Sequence, residues 1–167
     1  MKNPLFLFAL LCLLCGCGSP ELTFTPGIEA NGHVAFRLGL ENADGFLRMM
    51  LWEKKSRRTL WDINLNYYRG PVLKYGEIPS RFVTYRGSRH SAWQKYPKTG
   101  LPQPIPTGKD ILVYIDYTYE GPLGYSASAK IFAFRLEADS SVVNLGEQPY
   151  PSRGEWPDIF KFGEDRR

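Results

Sequence analysis

The chain is poor in cysteine, and what it has is crowded at one end: Cys12, Cys15 and Cys17 are its only thiols among 167 residues. From residue 18 onward there is no disulfide, thiolate metal site or cysteine nucleophile, so the body must be stable by packing alone. Histidine is scarce too. His33 lies at the outward phase of an alternating run and His90 in a loop beside Ser88 and Ser91, which supplies neither a histidine metal set nor a Ser–His pair with its orienting acid and oxyanion hole. The phosphate-binding P-loop, paired Cys-x-x-Cys motifs, His-Glu-x-x-His and Gly-x-Ser-x-Gly are all missing. No catalytic residue, metal ligand or cofactor is therefore expected, and the body reads as non-enzymatic. Helical periodicity is absent from the body as well. The one long apolar run, Leu5 to Leu14, is too short to span a bilayer, which takes about 20 residues.

That run has a setting. Lys2 and the amino terminus precede it, and Gly16 follows it just before Cys17. These are the positive, apolar and small-residue parts of an export signal over residues 1–16. With Leu14-Cys15-Gly16-Cys17 closing the segment, the chain resembles bacterial lipoproteins, whose lipobox reads Leu, a small residue, Gly or Ala, then Cys. The resemblance implies cleavage before Cys17 and lipidation of its sulfur. Gly18, rather than Asp, after the modified cysteine implies the outer membrane, facing the periplasm of a bacterial cell envelope. Stable anchoring needs more than one acyl chain, which triacylation at Cys17 would provide. Residues 17–21 are then a short tether. At about 3.5 Å per extended residue it holds the domain within about one to two nanometres of the bilayer.

The mature chain has the length of one ordinary domain, assigned to residues 22–146. Val34, Phe36, Leu38 and Leu40 alternate with polar or small residues, as do Trp61, Ile63 and Leu65. Phe46 to Trp52 is a strand with Leu47, Met49 and Leu51 on one face, preceded by an Asn42-Ala-Asp-Gly45 turn and followed by a charged hairpin at 54–58. Val72–Tyr75 and Arg81–Tyr85 are shorter strands, and the Pro-rich stretch 97–108 is an extended loop. Ile111, Val113, Ile115, Tyr117 and Tyr119 share a face, Gly121–Gly124 turns the chain, and Phe132, Phe134 and Leu136 share the next face. Ser141 to Leu145 is an edge strand. Short strands punctuated by turns predict an all-β antiparallel sandwich. The run Thr107 to Tyr117 resembles the late core strand of immunoglobulin and fibronectin type III domains. From 147 to 167 the chain turns Pro-rich, and Trp156, Ile159 and Phe160, with Pro157, are spaced for one helical turn packed on the sandwich.

Charge is uneven. The net charge is +4, yet residues 54–98 carry eleven Lys and Arg against Asp62 and Glu77, a local +9. Tyrosines and Trp93 interleave with them. The candidate anion- or partner-binding surface is Arg57, Arg58, Arg86, Arg89, His90, Trp93 and Lys95. Nucleic acid is not expected at an exported surface. Envelope proteins, anionic glycans and anionic lipid headgroups are the expected partners, with the membrane itself reached through the N-terminal lipid. Asp110 and Asp116 share the outward phase of their strand, about 20 Å apart, too far for a glycosidase pair, and are expected on a solvated face. Leu60-Trp-Asp-Ile-Asn and Tyr75-Gly-Glu-Ile-Pro79 resemble a pattern in small, uncharacterised bacterial lipoproteins. These readings point to a membrane-anchored binding or structural module, with a secretion-system accessory or an envelope hydrolase as further alternatives.

Overall fold

The computed structural model describes residues 21–40, 43–80, 82–83, 89–121, 124–157 and 159. In chain order the strands are β1 (Leu22–Ile28), β2 (Val34–Leu40), β3 (Ala43–Glu53), β4 (Thr59–Tyr68), β5 (Val72–Lys74), β6 (Phe82–Val83), β7 (Arg89–His90), β8 (Trp93–Tyr96), β9 (Asp110–Gly121), β10 (Gly124–Leu136) and β11 (Val142–Gln148). A three-stranded sheet, β1-β2-β5, packs on a six-stranded sheet, β11-β10-β9-β3-β4-β8, and β6 pairs with β7. Every strand pairing is antiparallel. The protein is the all-β sandwich that its alternation predicts.

Period-two burial makes the interior. Leu22, Phe24, Phe36 and Leu38 point inward from the small sheet, while Thr23, Thr25, Arg37 and Gly39 are exposed. Phe24 stacks on Phe36 at 5.6 Å and on Phe132 at 5.0 Å, and Phe36 tilts against Phe134 at 5.7 Å. From the large sheet Met49, Leu51, Trp61, Ile63, Leu65, Ile111, Val113, Ile115 and Tyr117 complete the core. Each large side chain buried this way contributes about 1.5–3 kcal/mol, which is how a body without disulfides holds.

Three expectations fail for identifiable reasons. Asn42 lies outside the described residues, but 43–45 are strand rather than turn, with Ala43 opposite Tyr119 and Gly45 opposite Thr118. β3 lies between β4 and β9, and pairing on both edges outweighs the turn preference of Asp and Gly. Gly45, at φ +149°, is needed there because an added Cβ would lie 2.5 Å from the Tyr67 carbonyl oxygen. The ladder then slips between Phe46 and Arg48, so Phe46 rather than Leu47 joins Met49 and Leu51 in the core.

The tail is the third. β11 runs on to Gln148, and Phe160 is outside the described residues. Trp156 is buried, but in no helix: it stacks on Trp52 at 5.7 Å and meets Tyr114 edge-on at 5.7 Å. Its Nε1 donates to Pro151 O at 3.1 Å, Arg57 Nη1 donates to Gly154 O at 2.8 Å, and the Tyr150 hydroxyl donates to Ala129 O. Residues 149–157 thus strap the outer face of the large sheet, over Met50, Trp52, Leu112, Ile131 and Ala133. Pro157 biases Trp156 away from helical angles, and the apolar outer face gives the indole a better site than a helical turn would.

Candidate functional site

Three segments distant in sequence meet at one end of the sandwich. The β1–β2 turn is closed by Glu29 N donating to His33 O at 2.9 Å and Gly32 N donating to Glu29 O at 2.8 Å, with Asn31 Oδ1 accepting from His33 N at 3.1 Å. Beside it the chain leaves β5 through a second turn, Glu77 N donating to Lys74 O at 3.1 Å. Gly76 sits there at φ +82°, where an added Cβ would come 3.3 Å from the Pro102 ring. The third segment is the Pro-rich loop after β8. Gln94 pins it by donating to Pro97 O at 2.6 Å and Gly100 O at 3.0 Å while accepting from Trp61 Nε1 at 3.0 Å. Tyr75 closes the assembly, its hydroxyl donating to Gln103 O at 2.6 Å and its ring meeting Trp61 edge-on at 5.4 Å.

Between these segments lies a groove of about 470 Å³ lined by Asn31, His33, Lys74, Tyr75, Gly76, Glu77, Leu101, Pro102 and Pro104. Leu101 is 82% exposed at its rim. Lys74 is held 3.2 Å from Glu29, so the groove offers no concentrated charge. Burial pushes the Tyr75 phenol far above its ordinary range, opposed by the nearby charge of Arg58, so it stays a neutral donor at any physiological pH. An apolar wall with a few convergent polar groups is the make-up of a binding cleft. Among the described residues, no group of three or more His, Cys, Asp and Glu is placed to hold a metal ion, and no helix is long and apolar enough to cross a membrane.

The described side chains of the predicted basic surface fall in two separate places. Arg57 and Arg58 are adjacent in the β3–β4 turn but have different neighbours: Arg57 holds the tail strap at Gly154, and Arg58 lies 3.9 Å from Glu53 and acts on Tyr75 at the groove. Trp93, half exposed, and Lys95 lie on edge strand β8, Trp93 opposite Asn64. That is roughly 17 Å along β4 from the hairpin. Arg86 lies outside the described residues. Arg89 and His90 pair through their backbones with Val83 and Phe82, and their side chains are outside the described ones. Of the seven, Arg57 is tied to the strap, and none lines the groove.

The outer face of the large sheet is not the solvated surface expected of it. Arg48 grips Asp62 with both carboxylate oxygens engaged, Nε to Oδ1 at 2.8 Å and Nη2 to Oδ2 at 2.7 Å. Across the other edge of β3 it faces Asp116. Burial raises the Asp116 carboxyl to about 6, against the opposing pull of Arg48 and the Tyr117 amide. Asp110 is paired instead, accepting from Arg135 at 2.8 and 2.6 Å. Because the folded state disfavours Asp116 in its charged form, that carboxylate costs stability above about pH 6, and the cost vanishes as pH falls toward 4. Asp116→Asn is therefore expected to stabilise the fold by about 1–2 kcal/mol at pH 8, after discounting for partial exposure, and by little at pH 4. Urea titrations at the two pH values read this, and an equal gain at both would exclude it.

No protein-family model, curated protein or solved structure matches the chain. Most of the groove escaped the sequence reading because its parts are more than 20 residues apart. One signal was present: Leu101, a large apolar residue in a proline-rich loop, next to the Tyr75-Gly76 turn.

Proposed function

We propose that the chain is a lipid-anchored lipoprotein of the bacterial envelope, non-enzymatic, whose sandwich presents the groove to a partner protein. The observation that supports this most is the placement of the two ends. Only residues 18–21 separate Cys17 of the lipobox from Leu22, where β1 starts. The groove lies at the other end of β1, beyond Ile28, about 20 Å farther along the strand. A module held by Cys17 would turn its groove away from the bilayer. Leu101, Pro102, Pro104 and Tyr75 beside a paired Lys74 suit an extended peptide segment of another envelope protein better than an anionic polymer. Gly18 supports the outer membrane.

The test has two arms. Wild-type protein should incorporate palmitate and fractionate with membranes, and Cys17→Ser should abolish both. A photo-crosslinker at Leu101 should yield discrete protein adducts in intact envelopes, while one at Val143, 40% exposed on β11, should yield few. Unlabelled protein in the soluble fraction removes the anchor, and equal adduct patterns at the two positions remove the groove as the docking site.

A further inference from the structure

We propose that the end of the sandwich opposite the groove is a bilayer-docking foot, in which Tyr67 and Tyr125 seat in the lipid interface beside the anchor; this rests on the lipid-anchor reading above. Connectivity fixes the geometry. Leu22 pairs with Leu40, Leu40 lies three residues before Ala43, and Ala43 pairs with Tyr119, which pairs with Ser126. The start of β1 and the end of the β9–β10 hairpin therefore share one end of the molecule. The hairpin runs past its neighbours there. Pairing of β9 with β3 stops at Tyr119 and of β10 with β11 at Ile131, while Glu120–Tyr125 and Gly121–Gly124 continue as a two-stranded ribbon. Its sequence from Gly121 to Ala129 carries no charged side chain.

Two tyrosines mark this end. Tyr125 is 50% exposed on the ribbon, and Tyr67 is 41% exposed at the end of β4. Tyr67 is held there against its own backbone preference: Asn66 and Tyr67 take φ of +48° and +65° in succession, a region that a bulky side chain rarely occupies. Two contacts keep it there, Asn66 N donating to Asn64 Oδ1 at 3.0 Å, and Gly45, whose lack of a Cβ admits the Tyr67 carbonyl. Strain retained at an exposed position is a pointer to use rather than to packing.

The occupant follows from the leash. Four residues span at most about 14 Å, so this end cannot stand far from the bilayer that holds Cys17. Tyrosine is the side chain suited to that depth, an apolar ring with a polar tip. Among the described side chains the flanking exposed charges are Glu21 and Glu120 against Arg69, with no basic cluster, so docking should depend on the tyrosines and little on anionic lipid or salt.

The test uses the chain from Gly18, which contains all eleven described strands, held by an N-terminal histidine tag on nickel-chelating lipid in phosphatidylethanolamine/phosphatidylglycerol vesicles. The body has no cysteine, so Ser126→Cys and Leu101→Cys each accept a single environment-sensitive dye. Dye at 126 should brighten severalfold on vesicles and be quenched by spin-labelled lipid, and dye at 101 should not respond. Tyr125→Ser and Tyr67→Ser should each reduce the signal at 126. A silent dye at 126, equal responses at 126 and 101, or indifference to both tyrosine changes would overturn the foot. Palmitate labelling of the full chain reads the anchor separately: an acylated protein with a silent dye at 126 loses only the foot, and an unacylated one with a responsive dye loses only the anchor.

Discussion

Asp62→Ala is expected to cost about 3–4 kcal/mol of folding stability, a drop of roughly 10 °C in Tm for a domain of this size. The Asp62 side chain is 3% exposed and Arg48 18%, so the guanidinium loses a two-point partner in a place where water replaces it poorly. Asp116 stands across β3 from the same arginine and takes up part of the lost attraction, which should draw its carboxyl back down from about 6 toward the ordinary range. The pH dependence near 6 should weaken accordingly. The control is Arg48→Met with Asp62→Leu. Removing both charges with similar volume should recover most of the loss, because the desolvation cost of the pair goes with them. A single variant within about 1 kcal/mol of wild type, inside the range of exposed pairs, would mean that this bridge behaves as a surface one.

The same pair marks how far sequence could be taken. Alternation identified the inward residues of β2, β4, β9 and β10, since each such run obeys period two over five or more residues and the interior face is apolar throughout. It also put Asp62 and Asp116 on the outward face, which is where they are. What alternation cannot carry is what covers that face. The strap of residues 149–157 returns over strands contributed by residues 43–136, and its prolines give no periodicity to read. Asp62 therefore looked like a solvated acid diluting a basic block, when it is a buried partner of Arg48, a residue outside that block. The β3 face departs from simple alternation for a local reason: the slip at Phe46–Arg48 reverses which residue points inward, and only its pairing with β4 and β9 reveals the bulge. The groove was invisible for a third reason. Its lining comes from two turns and a loop, where side-chain direction is set by individual hydrogen bonds such as Tyr75 to Gln103 rather than by any repeat.

Trp156→Ala should lower stability by about 3 kcal/mol, the low end for removing a large aromatic from a packed site. The loss is at the low end because the indole covers the outer face of one sheet, with one side of its surroundings able to relax. Its contacts are specific, stacked on Trp52 and edge-on to Tyr114, and such geometry adds about 0.5–1.5 kcal/mol beyond area. One term offsets the loss. Trp52 Nε1 is buried with no hydrogen-bond partner among the described residues, and uncovering it lets water pair with it. Ending the chain after Gln148 should cost about as much as the single substitution, because Trp156 is the one buried aromatic among the described strap residues and the described hydrogen bonds that tie the strap to the sheet, at Arg57 and Tyr150, are exposed and worth about 1 kcal/mol each or less. Urea midpoints of the three proteins decide it. A truncated chain as stable as the full one would make the strap a passive tail. A truncated chain that loses its sheet signal altogether would make it part of the folding unit, with the domain running past residue 146 to Trp156.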